Sequence, residues 1–180
     1  MTKEGLQGVF VCCLLMGAAN VQAQASRAPA AGEVTLAMNV RGGAYQQLEM
    51  PLSEHDHGDV FLSIDSVNKD PQWGATSNLC VLGKPHSDQV CLRFGKLGKE
   101  AEKLTAMKVL VREDGKALLS SETLSGSYRI GETIKVGVRV SPKMVEFTIN
   151  GGEPMKRQLT FSPRILRMGC SSALCTYRVQ

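Results

Sequence analysis

Residues 134–152 read IKVGVRVSPKMVEFTINGG. Apolar residues occupy every second position from Ile134 to Val140 and again from Val145 to Ile149. Successive side chains of a β-strand point to opposite faces, so this alternation indicates two strands, each with one buried face and one solvated face. Ser141-Pro142-Lys143 separates the two runs, and Asn150-Gly151 follows the second, as is typical of tight turns. The stretch therefore predicts an antiparallel hairpin.

The same alternation recurs elsewhere, in the ranges 34–40, 60–64 and 107–111. Asp114-Gly115 adds another turn signal. Only residues 97–107 (LGKEAEKLTAM) depart from the pattern. This segment is compatible with either a short helix or a charged loop. Many short strands with frequent turns predict an all-β fold, an antiparallel two-sheet β-sandwich of Ig-like or jelly-roll type.

The first residues have the three parts of a secretory signal peptide. Lys3 supplies a positive charge, and residues 9–19 (VFVCCLLMGAA) are apolar. Val21-Gln22-Ala23 and Ala23-Gln24-Ala25 are both small-x-small cleavage signals, which place the cleavage after Ala23 or Ala25. The apolar run is shorter than the about 20 residues that cross a bilayer. We therefore predict a signal peptide at 1–23, a flexible leader at 24–32 and a β-sandwich domain at 33–180. The mature chain then has no membrane span and is periplasmic or secreted in a bacterium.

Four cysteines remain after such processing, Cys80, Cys91, Cys170 and Cys175. An even number in an oxidising compartment predicts two disulfides. Three pairings are possible, and we expect the local ones, Cys80 with Cys91 and Cys170 with Cys175, because each pair brackets a turn. The gaps are wider than the C-x2-C spacing usual in zinc sites, so neither a metal nor another cofactor is predicted.

The formal net charge of +4 is unevenly distributed. The last thirty residues hold five basic side chains against Glu153 alone: Lys156, Arg157, Arg164, Arg167 and Arg178. Such an end either meets an acidic partner or forms a solvated face. The basic residues are not interleaved with aromatic ones, so nucleic acid is not a predicted partner.

The segment His55-Asp56-His57-Gly58-Asp59 carries the weak metal candidates of this chain, His55, His57 and Asp59. The neighbouring Pro51 and Gly58 favour a solvated turn instead. The sequence has no G-x-S-x-G elbow and no paired-carboxylate motif for glycoside cleavage. We therefore predict no catalytic residues and a binding function.

Several motifs together resemble the invasion-associated locus B family of exported bacterial proteins. Trp73-Gly74 precedes Cys80 and Cys91, the strand near residue 149 ends in Gly-Gly-Glu-Pro, and Cys170-x4-Cys175 continues as Thr-Tyr-Arg-Val. The resemblance implies an Ig-like β-sandwich in the periplasm or at the cell surface, linked to host-cell invasion, with no catalytic residues. The leading prediction is accordingly a non-catalytic, virulence-associated binding protein that contacts a protein of the envelope or of the host.

The segment Lys84-Pro85-His86-Ser87-Asp88 lies between Cys80 and Cys91. Its Lys-Pro-His resembles the loop of periplasmic inhibitors of vertebrate lysozyme, and Ser125-Gly126-Ser127-Tyr128 is similar to a motif of another lysozyme-inhibitor family. A loop closed by a disulfide is ordered before it binds, which suits entry into a protein cleft. Under this alternative, Lys84, Pro85, His86 and Asp88 contact the partner.

The opening stretch, preceded by Ile130-Gly131-Glu132-Thr133, also resembles the central hairpin of concanavalin-like lectin sandwiches. This resemblance implies a lectin-like module that binds a glycan, with Trp73 and Tyr128 as candidates for stacking on sugar. It forms the third interpretation of the chain.

Overall fold

The computed structural model describes residues 33–53, 55–69, 74–84, 88–96, 102–111 and 118–180. These residues form thirteen β-strands and no helix. The strands are β1 (Val34–Asn39), β2 (Tyr45–Pro51), β3 (His57–Val67), β4 (Thr76–Leu82), β5 (Gln89–Gly95), β6 (Lys103–Val111), β7 (Leu118–Thr123), β8 (Tyr128–Arg129), β9 (Ile134–Ser141), β10 (Met144–Ile149), β11 (Met155–Gln158), β12 (Ile165–Ser171) and β13 (Ala173–Val179). The predicted signal peptide and leader lie outside the described residues.

The strands form two antiparallel sheets. We call the seven-stranded sheet the front sheet; its order is β2-β12-β4-β5-β6-β7, with β8 paired to β6. The six-stranded back sheet has the order β1-β13-β3-β9-β10-β11. The first two strands of the described chain therefore pair with the last two, β1 with β13 and β2 with β12.

The two sheets pack face to face over one hydrophobic core. The back sheet contributes Leu62 and Val136, and the front sheet contributes Leu79 and Phe94, all of them buried. Across the core, the hydroxyl of Tyr177 on β13 reaches the front sheet. The predicted two-sheet β-sandwich is thus confirmed, and the alternating apolar residues form its interior.

The local elements predicted from residues 134–152 are also confirmed. Strands β9 and β10 pair as a hairpin, with the turn at positions 142 and 143. Asn150 and Gly151 both adopt positive φ, 51° and 72°, in the turn that leads to β11. Positive φ is what makes Asn-Gly a frequent turn sequence, since these residues tolerate it best.

Both disulfides have the predicted local pairing. Cys80 and Cys91 lie directly opposite each other on β4 and β5. Cys170 is the penultimate residue of β12 and bonds to Cys175 on β13, across the turn at Ser172. The first disulfide lies on the outer side of the front sheet, where a second hydrophobic cluster buries it, and the second lies in the main core.

Residues 97–107 gave two options, a short helix or a charged loop. Residues 97–101 lie outside the described range, but Lys103–Met107 belong to strand β6. Pairing with β5 stabilises the strand conformation of this segment, because a strand places the side chains of Leu104 and Ala106 in the core. No helix that could cross a membrane occurs in the part of the chain that the structure describes.

Candidate functional site

Tyr45 lies across the outer surface of the front sheet. It begins β2 and is 45% exposed, although it is a large aromatic residue. Its side chain covers Gly169 on the neighbouring strand β12; a Cβ atom added at Gly169 would fall 2.8 Å from Cζ of the tyrosine ring. The absence of a side chain at residue 169 therefore lets the ring rest on the sheet while remaining open to solvent.

Arg167, two residues before Gly169, forms the ion pair beside this ring. Its Nε and Nη2 atoms donate hydrogen bonds of 2.8 and 2.6 Å to Oε1 of Glu49. Its Nη1 atom donates a third, of 3.3 Å, to Oε1 of Gln89. Arg167 is only 9% exposed, so this charge depends on its partners. Among the described residues, no donor contacts the second carboxylate oxygen of Glu49, which can accept a hydrogen bond from a ligand.

Arg93 and Asn78 continue the polar surface across two further strands. Register pairs Gln47 on β2 with Gly169 on β12, Gly169 with Asn78 on β4, and Asn78 with Arg93 on β5. The Nε atom of Arg93 donates a hydrogen bond of 2.7 Å to Oδ1 of Asn78. Four adjacent strands thus place these residues in one row, although the sequence separates them widely.

Burial raises the pKa of Tyr45 above its ordinary value. The positive charges of Arg167 and Arg93 lower it in part, and the charge of Glu49 raises it further. The hydroxyl therefore remains protonated at neutral pH and can donate a hydrogen bond.

We refer to this surface as the Tyr45 face. It consists of Tyr45, Gln47, Glu49, Asn78, Arg93, Arg167 and Gly169. An exposed aromatic ring offers an apolar surface with a partial negative charge on its face, and it attracts C–H groups. Gln47, Glu49 and Arg93 supply donors and acceptors beside it, while the buried Asn78 and Arg167 hold Arg93 and Glu49 in place. A flat, polyhydroxylated molecule with apolar C–H faces fits this combination.

The outward-facing disulfide borders the Tyr45 face. Arg167 is in register with Cys80, and Cys80 with Cys91. Both cysteines belong to a second, smaller hydrophobic cluster with Leu82 and Val109. The disulfide ties β4 to β5 at the row next to Asn78 and Arg93, so it limits relative movement of the two strands that carry these polar groups.

The weak metal candidates His55, His57 and Asp59 lie at the outer surface of the back sheet. His55 is in a turn with φ of 84°, whereas His57 begins β3, so the two histidines do not share a strand. His57 and Asp59 line a groove of about 450 Å³ together with Arg139 and Glu146. The described residues contain no group of three or more potential metal ligands.

Both carboxylates of this groove form ion pairs with lysines. Asp59 pairs with Lys135 at 2.7 Å, and Glu146 with Lys156 at 3.6 Å. The nearby aromatic residue is Phe61, and its ring lies beneath the cationic groups of Lys135 and Arg178, 5.8 and 4.5 Å from its centroid. The back-sheet groove therefore lacks the open aromatic surface that Tyr45 provides on the front.

The other predicted binding residues have different locations. Lys84 and Asp88 flank the tip of the hairpin that the Cys80–Cys91 disulfide closes, while Pro85, His86 and Trp73 lie outside the described residues. Tyr128 is only 7% exposed and packs edge-on against Phe94, with ring centroids 5.5 Å apart. This position in the core favours a structural function for Tyr128 over stacking on sugar.

Of the Tyr45 face, the sequence pattern singles out Arg167 alone, as one residue of the basic C-terminal end. One signal was present, because Tyr45, Gln47 and Glu49 alternate with Leu48 and Met50 in a strand-like pattern. The partners Arg93 and Arg167 become neighbours of this strand only through the order β2-β12-β4-β5. In that order, the neighbouring strands β2 and β12 are more than a hundred residues apart in the sequence, and no local motif predicts their pairing.

No family model and no curated protein matches this sequence. Solved structures match its fold. Crh5 transglycosylase in complex with NAG has a TM-score of 0.53 at 11% identity, covering 82% of this chain and 72% of that one. The CBM2 module of the evolved Dit of Lactobacillus casei BL23 phage J-1 has a TM-score of 0.50 at 6% identity, with coverages of 81% and 74%.

A double mutant of Congerin II likewise matches with a TM-score of 0.50 at 12% identity. The match covers 75% of this chain and all of that one. At such identities the likeness concerns the fold alone, a jelly-roll type of β-sandwich that occurs in lectins and carbohydrate-binding modules as well as in glycosidases.

Proposed function

We propose that this protein is an exported, lectin-like module that binds glycans without cleaving them, through the Tyr45 face. The observation that carries the proposal is the exposed ring of Tyr45 lying across Gly169 beside the Glu49–Arg167 pair. A pyranose ring has a C–H face that stacks on an aromatic ring and hydroxyl groups that need partners around it. The Tyr45 face supplies both.

The non-catalytic part of the proposal rests on the chemistry of the same surface. Of its seven residues only Glu49 is a carboxylate, and that carboxylate is bound to Arg167. Glycoside cleavage ordinarily uses two carboxyl groups on opposite sides of the scissile bond. The arrangement therefore supports binding over hydrolysis, even though some proteins of similar fold are glycosidases.

Two further features support the choice of a glycan ligand and of an exported protein. The sandwich architecture is shared with carbohydrate-binding modules, as the name of one structural neighbour states. Two disulfides in a domain of this size are typical of oxidising compartments.

The test is a glycan array followed by affinity measurements on the best ligands. We expect Tyr45→Ala to weaken binding by about tenfold or more, because it removes both the stacking, on the order of 1 kcal/mol, and the apolar contact of the ring, and about 1.4 kcal/mol in total is tenfold. Phe61→Ala is the matched control, since it removes an aromatic ring from the opposite sheet. Silence across the array, or equal loss in both variants, would contradict the proposal.

A further inference from the structure

Arg93 is the polar residue of the Tyr45 face whose charge has no opposite partner within that face. Its one hydrogen bond to a described residue runs from Nε to Asn78 and holds the guanidinium by one edge. Asn78 is 5% exposed, so this anchor is itself fixed by packing. The two terminal nitrogens of Arg93 make no hydrogen bond to a described residue.

The charges of the face do not cancel. Glu49 neutralises Arg167 through two hydrogen bonds to one carboxylate oxygen, which leaves the charge of Arg93 as the excess. A neutral sugar gains only ordinary hydrogen bonds from such a group. A carboxylate gains a charge-assisted pair, and its two oxygens match the fork of a guanidinium.

Distance also favours a ligand that extends from Tyr45 to Arg93. Gly169 and Arg93 are in register with the strand β4 between them, so their backbones lie about 10 Å apart. The Tyr45 ring lies over Gly169, and Arg93 belongs to the same face of the sheet two strands away. One ligand can thus contact both side chains.

We propose that the Tyr45 face selects acidic glycans, of the hexuronic acid class, whose carboxylate binds the terminal nitrogens of Arg93 while a sugar ring stacks on Tyr45. This inference rests on the glycan-binding function proposed above. It assigns to Arg93 the choice of ligand class and to Tyr45 the general affinity for sugar.

The experiment uses hexasaccharides of galacturonic, mannuronic and glucuronic acid, each with its carboxyl-reduced counterpart, and isothermal titration calorimetry. Reduction converts each carboxylate to a hydroxymethyl group and leaves the sugar skeleton intact. We expect at least one acidic hexasaccharide to bind about ten to one hundred times more tightly than its reduced form, as for a charge-assisted hydrogen bond. Arg93→Gln should abolish this difference, and Arg93→Lys should retain part of it.

Arg139→Gln is the matched control, because it removes the same charge from the exposed surface of the back sheet. It should leave the preference intact. Equal affinity for acidic and reduced forms, with binding lost in Tyr45→Ala, overturns the acidic preference but keeps the glycan function. A sulfated, carboxyl-free hexasaccharide is titrated alongside them; if it binds more tightly than the uronates, the proposal is also overturned, since the anion is then not a carboxylate. Binding to no glycan at all overturns both proposals.

Discussion

The hydroxyl of Tyr177 donates a hydrogen bond of 2.6 Å to the carbonyl oxygen of Gly169. The same hydroxyl lies 2.7 Å from Ser77 Oγ, so it is bonded on two sides in the core. Tyr45 covers Gly169 from the opposite face of the front sheet. One glycine is therefore held from inside by a buried tyrosine and carries an exposed tyrosine outside.

The first prediction concerns Gly169→Ala. The added methyl group would collide with the Tyr45 ring, and that ring is the far end of a side chain that can swing into solvent. We expect the free energy of unfolding to change by less than about 1 kcal/mol, while the affinity for glycans falls as in Tyr45→Ala. Chemical denaturation and calorimetry measure the two quantities.

Gly74→Ala is the control for that experiment, because a Cβ atom there would meet its nearest neighbour at an ordinary 3.6 Å. Glycan affinity should be unchanged in this variant. If Gly169→Ala binds as tightly as the parent, the position of the Tyr45 ring is not what the ligand recognises.

The second prediction concerns Glu49→Ala. This change leaves Arg167, which is almost fully buried, without its anionic partner. We expect the free energy of unfolding to fall by about 2–3 kcal/mol, less than the about 3–5 kcal/mol of a fully buried pair, because the Glu49 side chain is 30% exposed. Urea denaturation followed by circular dichroism measures it.

Glu146→Ala is the comparison, since Glu146 pairs with a Lys156 side chain that is 59% exposed. Exposed pairs contribute about 1 kcal/mol or less. A similar cost for both substitutions would show that Arg167 finds another partner or solvent when Glu49 is absent.

The third prediction is a loss of stability in alkali. Burial is the main cause that raises the pKa of Tyr177 well above its ordinary value, and burial also raises that of Tyr45 and Tyr128. Above pH about 10 the unfolded chain releases these protons while the folded chain keeps them, so the free energy of unfolding decreases as pH rises. The fully buried Tyr177 adds up to about 1.4 kcal/mol per pH unit to this slope, and the half-exposed Tyr45 adds less because solvent screens its charge.

Denaturant titrations between pH 8 and pH 11 test this slope, with ultraviolet absorbance to follow tyrosinate formation. Tyr177→Phe should be less stable at neutral pH, because it removes the bonds to Ser77 and Gly169, and its decline in alkali should be shallower. A slope identical to that of the parent would mean that Tyr177 ionises normally in the folded state.

The fourth prediction separates the two disulfides. The Cys80–Cys91 loop has a sequence separation of 11, and the Cys170–Cys175 loop of 5. On the chain-entropy account, replacing each pair with alanine costs about 3 and about 2 kcal/mol, respectively. Thermal unfolding of the two double variants shows which one loses more stability.

Glycan binding gives a second readout for these variants. Loss of the Cys80–Cys91 disulfide should weaken binding more, because it joins the strands that carry Asn78 and Arg93. Equal effects on binding would indicate that the strand pairing alone positions these residues.

Much of the fold follows from local sequence. Alternating apolar residues, turn signals such as Asn150-Gly151 and the short cysteine spacings act within a few positions of one another, so they predict strands, hairpins and local disulfides. Lys103–Met107 did not follow its local pattern, because pairing with β5 outweighs the helical preference of this charged stretch.

The candidate site depends on register between distant strands. Tyr45 contacts Gly169, and Glu49 pairs with Arg167, which lies 118 residues later in the sequence. No spacing in the sequence specifies those encounters. The resemblance to the invasion-associated locus B family and the lysozyme-inhibitor loop at Lys84 remain predictions, which glycan-binding data would help to rank.

The pairing of β1 with β13 and of β2 with β12 also governs how the chain matures during synthesis. The ribosome releases β1 and β2 first, yet each must wait for a partner strand that emerges more than a hundred residues later. Neither sheet can be completed until then, and pairings of such long range form slowly. Strands between them, such as β4 with β5 and β9 with β10, can pair earlier, so β1 and β2 stay unpaired until β12 and β13 have emerged.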